Sequence, residues 1–81
     1  MDEILLQSIL IEVQVGLTFA KSASLAYQDV HNVHGDSATA KAVKALESAK
    51  RFMLRLDPAG QQIVLAQLPK LERAIAGIIR K

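Results

Sequence analysis

Apolar residues return every three or four positions through the first third of the chain. Over residues 2–30, Leu6, Ile9, Val13, Leu17, Ala20, Ala23 and Tyr27 gather on one side of a helix turning about 100° per residue. Gln7, Gln14, Thr18, Lys21, Gln28 and Asp29 gather on the other. Asp2 stands where an N-cap is needed, and Asp2 with Glu3 suits the positive end of the helix dipole. Gly16 falls on the apolar side, where a missing side chain lets another helix come close. A second pattern competes between residues 11 and 19. There Ile11, Val13, Val15, Leu17 and Phe19 alternate with Glu12, Gln14, Gly16 and Thr18, which is the period of a strand. The chain holds no second strand candidate, so only an intermolecular ribbon supports that alternative. The pattern that continues through Tyr27 predicts a helix.

Two further helices follow. Gly35-Asp36-Ser37 offers a turn residue and two caps before a helix over residues 38–56. Its apolar stripe is Ala38, Ala42, Ala45, Leu46, Ala49, Phe52, Met53 and Leu56. The alanines permit close packing, and Phe52 and Met53 fill the wider end. Asp57-Pro58 ends that helix and starts the next, because proline lacks only an N–H that has no partner at the first helical position. The third helix spans residues 58–79, with Val64, Leu68, Leu71, Ile75 and Ile78 at alternating spacings. Pro69 lies inside it and predicts a kink or a split near residues 65–68. Such short connections make neighbouring helices antiparallel. The fold expected is an all-α, up-down-up three-helix bundle with a long first helix, in one domain over residues 1–81.

Composition changes this picture by making association probable on energetic grounds. With 81 residues the core is small, and the entropy of ordering the chain nearly cancels apolar burial. Cysteine is absent, which excludes disulfides and thiolate metal sites, while 51% of the residues are hydrophobic. The remaining device is a second subunit. Three aromatic residues, Phe19, Tyr27 and Phe52, make a poor stacking platform for single strands and a poor aromatic-lined pocket. Met1-Asp2-Glu3 is acidic where a secretory signal is basic, and Gln7, Ser8, Glu12 and Gln14 interrupt the apolar run. A cytoplasmic protein with no membrane partner is expected. Charge is uneven, −4 over residues 1–36 and +6 over residues 37–81, as suits an acidic helix packed beside basic ones.

Three sets of residues are candidate sites. Between Ile4 and Gln28 only Glu12 and Lys21 are charged. Once the core face is assigned, Ile4, Ile11, Val15 and Leu25 remain on the opposite half of the first helix, a second apolar stripe suited to another helix. They are the expected interface, with a homodimer favoured and an amphipathic helix of another protein as the alternative. Lys41, Lys44, Arg51 and Arg55 align on the second helix and could hold phosphates together, although Glu47 is placed to pair with Arg51 and no recognition-helix turn accompanies them. Nucleic-acid binding is therefore the secondary expectation. His31, His34 and Asp36 share a short segment but match no metal-ligand spacing, and turn and cap roles account for them. Phosphate loops, HExxH and nucleophile elbows are missing, so no catalysis, metal or cofactor is expected.

From Leu17 to Leu56 the small residues Ala20, Ala23 and Ala26 with Tyr27, then Ala42, Ala45, Ala49 and Phe52, resemble the small-in-groove pairing of a tetratricopeptide-type helical hairpin. The three-helix outline is similar to microtubule-interacting and transport domains, which bind peptides. The segment between the hairpin helices is too long for a tetratricopeptide repeat, whose Trp and Gly are absent. The resemblance implies helix or peptide binding and assigns no residue to it. The chain is thus expected to be a non-catalytic interaction or assembly module that associates through its first helix.

Overall fold

The computed structural model describes residues 3–28 and 32–79, and of Asn32, Val33 and Ile79 only the backbone. Three helices account for nearly all of it: α1 (Glu3–Gln28), α2 (Asn32–Met53) and α3 (Pro58–Ile79). They form an up-down-up antiparallel bundle, a slender body of 44 × 18 × 14 Å. Residues 11–19 are helix, so the strand alternative falls. The periodicity over the whole of α1 outweighs a nine-residue alternation that has no strand to pair with. The N-cap expected at Asp2 and the helix end expected at Val30 lie outside the described residues.

The core is apolar, with no buried polar or charged side chain among the described residues. α2 brings it only Ala38, Ala42, Ala45 and Ala49 before Leu56 closes one end. Ala20, Ala23 and Ala26 face it from the second half of α1, and small residues on both sides let the two helices approach closely. Larger side chains then come from Leu6, Ile9 and Val13 of α1 and from Val64, Leu68, Leu71, Ile75 and Ile78 of α3. Leu71 and Val64 are fully enclosed, and burial of each such side chain contributes about 1.5–3 kcal/mol. Gly16 sits where the three helices meet: a Cβ there would stand 2.9 Å from Leu71 Cδ2 and 3.0 Å from Ala45 Cβ. Leu17 and Tyr27, expected in the core, are half-buried beside it.

Two boundaries differ from expectation, both of them on α2. α2 begins at Asn32 rather than at residue 38, so His34, Gly35 and Asp36 are helical and not a loop. The reason lies on α1. The Tyr27 ring lies against Gly35, 2.7 Å from where a Cβ would be, and its hydroxyl donates to Asp36. Thr39 Oγ1 adds a hydrogen bond to the Gly35 carbonyl, 2.8 Å away. At its other end α2 stops at Met53 instead of residue 56. The Arg55 and Leu56 N–H groups donate to the carbonyls of Phe52 and Met53, both at 3.0 Å, a tight final turn that swings Leu56 into the core. Phe52 stays on the surface, 36% exposed, and does not fill the core as expected.

Asp57 and Pro58 act as their chemistry dictates. Asp57 Oδ1 accepts from the Gly60 N–H at 2.8 Å, Gln61 Nε2 donates to the Leu56 carbonyl at 2.9 Å, and Pro58 opens α3. Pro69 does not divide α3, which runs unbroken to Ile79. Leu65 and Pro69 are both exposed, so the carbonyl deprived of its helical donor is on the solvent side.

Candidate self-association surface

The face of α1 turned away from α2 and α3 carries no charge along its centre. Glu12 and Lys21, the charged residues between Ile4 and Gln28, lie a quarter-turn to either side of that centre line. On it the four residues of the second apolar stripe are open to solvent: Ile4 is 83%, Ile11 60%, Val15 40% and Leu25 53% exposed. The middle of this face, around Leu10, Ile11, Val15 and Phe19, is an open and mainly apolar surface of α1. Exposed apolar residues aligned along one helix face, beside the amides of Gln7 and Gln14, are a candidate association surface.

Ser8, Thr18 and Ser22 belong to the same row. Ile4, Ser8, Ile11, Val15, Thr18, Ser22 and Leu25 follow one another at spacings of four and three, the period of a helix–helix seam. The hydroxyls of Ser8 and Thr18 are already occupied within the helix. Ser8 Oγ donates to the Ile4 carbonyl at 2.9 Å, and Thr18 Oγ1 donates to the Gln14 carbonyl at 3.1 Å. A hydroxyl whose donor is satisfied this way loses little when water leaves, so these positions behave as small, nearly apolar side chains. The spacing itself was the available signal, hidden because Ser and Thr count as polar in any binary pattern.

On α2, Lys41, Lys44 and Arg51 are exposed, while Arg55 lies in the turn beyond the helix. Two of the four rest on aromatic rings. Lys41 Nζ stands 5.2 Å from the centroid of Phe19, and Arg55 Cζ stands 5.3 Å from that of Phe52. A groove, about 260 Å³, separates α1 from α2 between Leu5, Ile9, Glu12, Ser48 and Phe52. Leu54, Ile63 and Leu65 are exposed apolar residues that sequence reasoning did not single out, gathered around the α2–α3 connection and the first half of α3.

His34 is exposed on α2, and His31 lies outside the described residues. Among the described residues no three His, Cys, Asp or Glu side chains gather as metal ligands. The Tyr27 hydroxyl is held above its ordinary pKa, chiefly by the hydrogen bond to Asp36 and further by desolvation and the nearby negative charge, with Thr39 acting in the opposite sense. By length and composition alone, α1 is also apolar enough to cross a membrane, a property that core helices share. No protein-family model, curated protein or solved structure matches the chain.

Proposed function

We propose that this protein is a small non-catalytic assembly module that associates with itself through the outward face of α1. The observation that carries the reading is the uncharged row from Ile4 to Leu25, exposed over most of a 26-residue helix whose opposite face already forms the core. The thin bundle supports it further. A body 14 Å across in its narrowest direction has little interior, and a partner on α1 supplies apolar burial that 81 residues cannot provide alone. Sedimentation equilibrium tests it. The wild-type chain is expected to show a reversible dimer, and Ile11→Glu with Val15→Glu to sediment as a monomer. Both positions are exposed, so the helical circular-dichroism signal of the variant should be retained. An unchanged mass in that variant removes α1 from the interface.

A second reading is favoured by one observation. Lys41 over Phe19 and Arg55 over Phe52 pair a cation with an aromatic surface at two places, a combination that single-stranded nucleic acids can use. It expects retardation of a single-stranded oligonucleotide at low salt, weakened by Lys41→Ala with Arg55→Ala. Absence of retardation at low salt dismisses it.

A further inference from the structure

Resting on that reading of α1, we infer that the partner is a second copy of this chain bound antiparallel, with a two-fold axis between Val15 and Thr18. From Ser8 onward the row runs small, large, large, small, small, large, through Ser8, Ile11, Val15, Thr18, Ser22 and Leu25. A parallel pair in register would set Ile11 against Ile11 and Ser8 against Ser8, leaving some layers crowded and others empty. The antiparallel register sets Ile11 against Ser22 of the second copy, Val15 against Thr18, and Ser8 against Leu25. Every one of these layers then joins one large side chain to one small one, which is how facing helices fill space evenly. Ser8 and Thr18 can take the buried side because their hydroxyls already donate to the Ile4 and Gln14 carbonyls.

In this register like charges share a flank but stand far apart. Glu12 lies on one flank and Lys21 on the other, and an antiparallel pair brings each flank against its own counterpart. Lys21 then stands about 13 Å along the axis from Lys21 of the second copy, and the two Glu12 are equally far apart. At that distance solvent and salt screen the repulsion between like charges. Lys21 comes level instead with the Gln14 amide. Opposed helix dipoles add a small attraction. A lipid surface fits the face less well, because the flank carries Gln7, Gln14 and Lys21, whose amide and ammonium groups find no partners in hydrocarbon. From Ile4 to Leu25 the row is about 32 Å long, and a helix-wide contact buries about 400 Å² per copy. The sum is below that of a standard stable interface, so the dimer is weak and reversible.

The chain has no cysteine, so single nitroxide labels report cleanly on this arrangement. In the dimer, labels at Ser8→Cys are expected about 25 Å apart along the axis by dipolar electron resonance. Labels at Val15→Cys should lie close enough to broaden each other's spectra. An equimolar mixture of Ile11→Cys and Ser22→Cys, unlabelled and oxidised, should give a mixed disulfide dimer in excess of either homodimer. A dimer lost in the Ile11→Glu, Val15→Glu variant but with Ser8 labels in near contact overturns the antiparallel register and leaves the α1 interface standing. A monomer at every concentration, or a chain found only on phosphatidylcholine vesicles, overturns both.

Discussion

Gly16 decides how closely three helices can meet. Adding a Cβ at this point sets it against the Ala45 Cβ, which cannot rotate away, and against a Leu71 methyl in a fully enclosed site. Helix propensity favours alanine over glycine by about 1 kcal/mol, but overpacking a filled core costs about 1–3 kcal/mol. Gly16→Ala should therefore destabilise the protein by about 1 kcal/mol in urea unfolding. Gly77 gives the opposite sign, because a Cβ there meets nothing within 4 Å, and Gly77→Ala should stabilise by about 0.5 kcal/mol. Equal effects at the two sites would show that Gly16 is not in contact. Tyr27 gives a titration at the same scale. Its folded pKa is raised above the ordinary value of about 10, so the stability from its hydroxyl is complete below that value and is lost as pH rises through the folded one. As the only tyrosine in the chain, it should show its phenolate absorbance above the usual midpoint, and Asp36→Asn should bring that midpoint down.

At the scale of the element, what could be read from the sequence was whatever local chemistry determines. Asp57-Pro58 places a cap and a first-turn proline in adjacent positions, and the bonds to Gly60 and Gln61 follow from that alone. The start of α2 was not legible in the same way. Gly35 and Asp36 carry every mark of a turn, and they become helical against the Tyr27 ring on another helix, a contact that no window along the chain contains. Pro69 shows a limit from the other side, since local chemistry predicts a kink or a split there and α3 is not split. The packing of Leu68 and Leu71 on one face holds the helix together while the missing hydrogen bond faces water. Proline still removes a helical bond and crowds the preceding turn, so Pro69→Ala should stabilise the protein by about 1–3 kcal/mol. The urea midpoint should rise with an unchanged slope. A loss of stability would mean that the proline ring itself makes contacts the bundle needs.

For the whole molecule, α1 has two opposed apolar faces, one in the core and one exposed. Ile4, Ile11, Val15 and Leu25 could be picked out because too many apolar residues crowd one helix for a single core to use. Ser8, Thr18 and Ser22 could not, since their place in the row depends on spacing and, for Ser8 and Thr18, on hydroxyls folded back onto the helix. Without charge along its centre, association through this row must respond to salt differently from binding at the basic stripe. Apolar burial is insensitive to ionic screening, whereas releasing counterions from phosphates against four cations is not. Between low and high salt, over roughly a tenfold range, the dimer dissociation constant should change by less than about threefold. Oligonucleotide binding through Lys41, Lys44, Arg51 and Arg55 would weaken by roughly two to three decades over the same range. Thermal unfolding supplies the companion measurement, because a dimer that unfolds to monomers gains Tm with protein concentration. A Tm independent of concentration, together with association that collapses in salt, would move the working surface from α1 to α2.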